Sequence, residues 1–196
     1  MALADSNGAE KGEVAPPRIL VFGDSISAAY GIELDAGWVA LLQQRLRAED
    51  LPHAVVNASI SGETTAGGRA RLPALLAQDR YVLVLLELGG NDGLRGLSLA
   101  QTEANLRAMI EVAQAAGVKV LLLGMRLPPN YGPTYTDAFT AIYATLARET
   151  GAALVPFLLD GVATDPALML PDRIHPRAEA QPRILDLLWP VLVPLL

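Results

Sequence analysis

The sequence predicts an α/β chain, a three-layer α/β/α sandwich around a doubly wound, five-stranded parallel sheet. Three observations predict it. Short apolar, β-branched runs recur along the chain, segments with apolar residues at helical spacing separate them, and small polar residues collect directly after the runs.

Taken in order, Arg18-Ile19-Leu20-Val21-Phe22 reads as a buried strand ended by Gly23-Asp24. Residues 38–48 follow as a helix with Val39, Leu42 and Leu46 on one face, and 54–56 form the second strand. A helix over 72–77 leads to a strand over 81–86. A helix over 102–115, with Leu106, Met109, Ile110 and Ala113 inward, leads to a strand over 118–123. The last pair is a helix over 139–147 and the strand Ala153-Leu154-Val155, with a further helix expected from Pro176. Gly117 and Gly151 stand where helix C-termini accept a left-handed residue. With no repeat and no low-complexity linker, residues 17–196 are expected to form a single domain behind a flexible N-terminal segment, 1–16.

Composition narrows the function. Of 196 residues 52% are hydrophobic and 18% charged, which suits a globular chain with a substantial core. A net charge of −6 with no Lys/Arg cluster argues against a nucleic-acid partner. Glu87, Arg126 and Asp186 interrupt the richest apolar stretches, so no stable membrane insertion is expected. The absence of cysteine removes disulfides, thiolate nucleophiles and thiolate metal sites, and leaves the redox compartment open. Two histidines exclude a His-rich metal site, though not carboxylate-bound magnesium. The first residues lack an apolar signal core. Ala2-Leu3-Ala4 nevertheless matches the end of a cleaved signal peptide, which implies a periplasmic or secreted protein; an ordinary frayed N-terminus fits the same residues.

In a parallel sheet, ligands bind beyond the carboxyl ends of the strands. The residues there are Gly23-Asp24-Ser25-Ile26-Ser27, then Asn57 to Thr64, then Leu88-Gly89-Gly90-Asn91-Asp92-Gly93, then Met125 to Tyr131. Acyl transfer needs a nucleophile, a base, a group that orients the base and donors for the oxyanion. Without cysteine the nucleophile is a hydroxyl, and Ser25, Ser27, Ser59 and Ser61 all lie at this rim. Of the two histidines, His53 precedes the second strand at the opposite rim, whereas His175 follows the last strand. Asp172 lies three residues before His175, so one helical turn would put both side chains on one face. Ser25 also fits as a helix cap, Asn91 as an Asx-turn, and Asp24 as a residue that bonds loop backbone. No serine sits in a G-x-S-x-G elbow.

Gly23-Asp24-Ser25, Gly62 within Ser61-Gly62-Glu63-Thr64, Gly89-Gly90-Asn91-Asp92, and Asp172 with His175 resemble the four ordered blocks of the SGNH, or GDSL, hydrolases. More narrowly, the stretch from Leu88 to Gly96, the stretch from Met125 to Gly132, Ile174-His175-Pro176 and Ala180-Gln181-Pro182 are similar to the TesA-type bacterial group. That group is described as acyl-CoA thioesterase I, protease I and lysophospholipase L1, and it includes arylesterases. The resemblance implies the flavodoxin-like SGNH fold, with Ser25 as nucleophile, His175 as base and Asp172 orienting it. It further implies an oxyanion hole of the Ser25 and Gly62 amides and the Asn91 side chain. Ala29, where glycine is common, and Glu63, where aspartate is common, are departures that leave this chemistry untouched; Ala29 is expected only to narrow the pocket edge.

Ile26, Leu94, Leu97, Leu127, Pro128 and Tyr131 are candidates to wall an apolar groove for an acyl or aryl group, although some fit as sheet-covering core. Gly93 and Gly96 bracket a loop expected to move over a bound chain and tune acyl length. The function expected is cleavage of small-molecule esters and thioesters (fatty acyl or aryl esters, acyl-CoA, lysophospholipid) through an acyl-enzyme, with no cofactor and no metal. A carbohydrate deacetylase fits the apolar rim less well, and a phosphate-gripping flavodoxin-like module lacks its glycine loop. A monomer is expected, with Trp189 and the Leu-rich C-terminus packing on the core or on a partner.

Overall fold

Five parallel strands hydrogen-bond in the order β2-β1-β3-β4-β5 in a computed structural model that describes residues 15–196. The strands are β1 (Arg18–Gly23), β2 (Ala54–Asn57), β3 (Tyr81–Glu87), β4 (Lys119–Leu123) and β5 (Ala153–Val155). Ala2-Leu3-Ala4 and most of the expected flexible segment lie outside the described residues.

The helices are α1 (Trp38–Ala48), α2 (Thr65–Gln78), α3 (Gly90–Leu94), α4 (Leu99–Ala115), α5 (Pro133–Thr150) and α6 (Gln181–Leu192). Only the β1-to-β2 crossover runs toward the β2 edge of the sheet; the other three run the opposite way. Right-handed crossovers then place α1 on one face, with α6 packed beside it, and α2, α4 and α5 on the other. The central strands are covered on both sides, which is why Ile19 to Phe22 and Leu83 to Leu86 are almost fully buried. Trp189 packs on this core, with the Arg45 guanidinium 5.2 Å over its ring. No helix of the described residues is long and apolar enough to cross a membrane.

Strand positions agree with the apolar runs to within a residue, but four helices start elsewhere than expected. The α4 helix begins at Leu99, three residues before 102, where Ser98 caps it by accepting from the Gln101 amide (3.4 Å). The α2 helix begins seven residues before residue 72, because Thr64 caps it by accepting from the Gly67 amide (3.3 Å). The α5 helix begins at Pro133, a residue whose missing N–H costs nothing in a first turn. The helix expected from Pro176 begins at Gln181 instead. Pro176 is engaged in an antiparallel bridge to Met169, which holds it out of helical conformation.

The chain order reverses between β1 and β3, a topological switch point where the loops after these strands separate and leave a crevice. The loop after β1 is a series of turns, with the Ala28 amide donating to Asp24 O (3.0 Å) and the Tyr30 amide to Ser25 O (3.1 Å). Within it Ala29 has φ +57°, a left-handed conformation that strains a residue with a Cβ. The alanine therefore does more than narrow a pocket edge. Relief of this strain by Ala29→Gly, less the extra freedom glycine has when unfolded, is expected to raise the melting temperature by about 1–3 °C. Calorimetry showing a lower value would contradict the strain.

Candidate active site

The crevice assembles residues from both ends of the chain. The His175 ring lies with Nε2 2.8 Å from Ser25 Oγ and Nδ1 2.7 Å from Asp172 Oδ2. The other serines at this rim are engaged elsewhere or turned outward. Ser27 donates to Glu87 (2.8 Å), Ser59 Oγ accepts from the Gly23 amide (3.1 Å), and Ser61 is exposed. No regular helix begins at Ser25, so its hydroxyl caps nothing. His53 remains beside the start of β2, and burial pushes its imidazole below the usual range.

Asp172 and His175 do not share a helical turn. Arg173 between them has φ +58°, and Asp172 Oδ1 accepts from the Ile174 (3.0 Å) and His175 (3.1 Å) amides in an Asx-type turn. The second carboxylate oxygen is thereby aimed at the ring. Burial raises the Asp172 pKa, but the hydrogen bonds from the His175 ring and from the Ile174 and His175 amides outweigh it, so the group stays below the usual carboxylate range. The loop is held from behind. The Leu170 amide donates to His175 O (2.7 Å), and buried Gln181 donates to Pro176 O and Arg177 O. Gln181 Oε1 in turn accepts from the Trp38 amide at the start of α1 (3.0 Å). Tyr30 lies against the imidazole with ring centroids 4.4 Å apart and the planes tilted by 38°.

Opposite the histidine lie the loops after β2 and β3. Gly62 has φ +79°, which suits glycine, and its carbonyl accepts from Arg95 (3.0 Å). The amides of Ser25 and Gly62 donate to no other group among the described residues. One hydrogen of the Asn91 amide is donated to Asp24 Oδ2 (2.9 Å), which leaves the second free. Asp92, the next residue, is buried and accepts from the Thr65 amide (2.9 Å) and hydroxyl (2.5 Å), so a carboxylate ties α3 to the N-terminus of α2.

The expected groove divides. Ile26 and Leu127 belong to the hydrophobic core, and Leu127 packs onto Gly93. Leu94 and Pro128 are half-buried, and Leu97 and Tyr131 are exposed. Gly93 is not a hinge: a Cβ there would come within 2.6 Å of Leu127 and 2.9 Å of Phe139, so it is a close-packing position. The 94–97 loop is also pinned, since Tyr131 donates to Leu94 O (2.8 Å) and Tyr135 to Leu97 O (3.3 Å). Beside these tyrosines opens a concavity of about 490 Å³, lined also by Leu99 and Pro133.

Sequence reasoning missed Glu87, Tyr30 and Gln181 as part of this surround. Glu87, at the last position of β3, is fully buried, and burial followed by repulsion from Asp24 raises its pKa well above the usual range. Burial likewise raises Asp24 to about 6. A lone glutamate between the apolar runs 82–86 and Leu88 was the available signal.

A hydroxyl facing a histidine–carboxylate pair at a switch point, with unpartnered amides beside it, defines a hydrolase of the acyl-transfer class. The chain belongs to the GDSL-like lipase/acylhydrolase family, whose pattern matches residues 21–182. It is 56% identical to esterase TesA of Pseudomonas aeruginosa over 94% of this chain and 92% of that protein. It is 47% identical to thioesterase 1/protease 1/lysophospholipase L1 of Escherichia coli K12 (92% and 86% covered). Among solved structures, a crystal structure of TesA superposes with a TM-score of 0.90 at 57% identity, covering 91% of this chain and 99% of that one. The psychrotrophic esterase EstA from Pseudoalteromonas sp., inhibited by monoethylphosphonate, superposes with a TM-score of 0.86 at 42% identity (89% and 96% covered). The chain is an ester hydrolase.

The buried carboxyls predict a pH dependence of stability. A folded pKa raised above the unfolded one gives stability that is complete at low pH and is lost as pH rises. Glu87→Gln keeps the shape and removes the ionisation. Its melting temperature is expected to exceed that of the native protein by a margin that opens above the ordinary glutamate value of 4.5 and reaches several degrees at pH 8. Parallel melting curves across pH would show that Glu87 carries no raised pKa.

Proposed function

We propose that Ser25, His175 and Asp172 form the catalytic triad, and that the Ser25 and Gly62 amides and the free hydrogen of the Asn91 side chain form the oxyanion hole. The observation that carries this reading is the unbroken relay of 2.8 and 2.7 Å from Ser25 through His175 to Asp172. In the reaction, Ser25 Oγ attacks the carbonyl carbon as His175 Nε2 takes its proton, and the three donors receive the charge on the carbonyl oxygen. Collapse breaks the bond to the leaving alcohol or thiol, which takes the proton back from His175. Water, deprotonated by the same nitrogen, then releases the acid from Ser25. Asp172 holds Nδ1–H throughout and stabilises the imidazolium.

The substrates are fatty acyl and aryl esters, acyl-CoA and lysophospholipid. The names of the relatives support this range, as do the exposed apolar side chains of Leu97 and Tyr131 with half-buried Leu94 and Pro128 beside them in sequence. A periplasmic or secreted location and a monomeric state belong to the same proposal, and fractionation of the natural host and light scattering test them. Hydrolysis of p-nitrophenyl esters of increasing acyl length tests the chemistry. Ser25→Ala is expected to lose at least about a thousandfold in kcat on every ester while remaining folded. Retention of activity by the purified variant would move the nucleophile to another residue.

A further inference from the structure

Two carboxyl groups lie together beneath the proposed oxyanion hole, and neither forms an ion pair among the described residues. Asp24 is 2% exposed and Glu87 0%. Both oxygens of Asp24 are committed. Oδ1 accepts from the Ile26 amide (3.1 Å), the peptide that directly follows Ser25, and Oδ2 accepts from Asn91 Nδ2 (2.9 Å). Behind it, Glu87 Oε2 accepts from the Asp24 amide (3.1 Å) and the Ser27 hydroxyl (2.8 Å), whereas Glu87 Oε1 is buried with no partner. An ionised carboxylate with one oxygen unsatisfied is costly in such a place, and a second anion beside it more so. The single charge of the pair therefore sits on Asp24, where both oxygens are hydrogen-bonded.

We propose that Asp24 is a positioning residue of the oxyanion hole, one carboxylate fixing the Ser25 loop and the Asn91 amide relative to each other. The proposal rests on Asn91 being an oxyanion donor. A primary amide offers two hydrogens on its nitrogen, and rotation about the Cβ–Cγ bond would exchange that NH₂ for the carbonyl oxygen, an acceptor. With one held by Asp24, the other is committed to the crevice before substrate arrives, and preorganisation of this kind is what makes such donors effective. Only a carboxylate does this. An amide at position 24 has one acceptor oxygen, and its NH₂ would face an N–H of either Ile26 or Asn91. The geometry of the nucleophile and that of the oxyanion donor are thus set by one side chain.

The test is a double-mutant cycle on a p-nitrophenyl ester, with melting temperature as the control for folding. Asn91→Ala is expected to lower kcat about a hundredfold or more, and Asp24→Asn at least about tenfold with little change in KM. In the double variant Asp24→Asn costs at least about threefold less than it does alone, because the part of its effect that runs through Asn91 is already lost. The cycle is repeated with Asp24→Ser, which keeps one acceptor in a smaller side chain, so that a folding failure of one variant leaves the other to decide. If Asn91→Ala leaves kcat unchanged, the oxyanion reading of Asn91 fails and the proposal with it. If Asn91→Ala is impaired but the Asp24 substitutions multiply the loss equally in both backgrounds, the oxyanion reading stands and the positioning role is overturned.

Discussion

The parallel pairing of β1 with β3, with Gly23 opposite Glu87, is the constraint on which the site depends. It ends two buried strands at one level and sends their loops apart, so that the Ser25 turn and the Asn91 helix start side by side. The same register brings Asp24 against Glu87, both of them buried. Hydrogen bonds from Asn91 to Asp24 and from Ser27 to Glu87 offset the burial cost of that pair, and a separate one from Thr65 at the head of α2 to Asp92 ties a third segment to α3. The polar network under the crevice is therefore structural and directional at once. It sets where an amide donor points, and it ties three separate loops into one frame.

His175 comes to this frame from 150 residues away in sequence, and its loop has no strand to hold it. Three contacts replace the strand. Met169 bridges Pro176, Gln181 joins the loop to the start of α1, and Tyr30 covers the imidazole from the Ser25 loop itself. The left-handed backbone at Arg173 is the strained element of this loop, and it is what lets Asp172 cap two amides and still reach the ring. Ser25 and His175 are thus linked through the protein by routes that do not pass through the hydrogen bond between them.

Much of this was legible in the sequence, for physical reasons. Strands buried on both faces leave continuous apolar runs, so β1 to β5 stand where those runs stand. Residues that follow such runs must lie at one rim, and Ser25, Gly62 and Asn91 all follow one. Helix starts were less legible, because they are set by caps and prolines: α2 opens on Thr64, and α3 holds two glycines in five residues, with no apolar period to see. Side-chain conformations determined by contact were not legible at all. A helical turn from Asp172 to His175 is the simple reading of their spacing, and only the backbone at Arg173 reveals the Asx turn. Gly93 resembles a hinge until Leu127 and Phe139 are placed against it. Glu87 reads only as a charge that interrupts an apolar stretch, and its burial is a property of the neighbours that close over it.

The central claim is that Ser25, activated by His175, is the group that bonds to substrate. Covalent capture tests it most directly. The native protein is treated with a serine-directed alkyl phosphonate, and intact mass and peptide mapping are then measured. The account predicts one adduct per chain, on Ser25, and none in Ser25→Ala; an adduct on Ser27, Ser59 or Ser61, or an undiminished adduct in the variant, would contradict it.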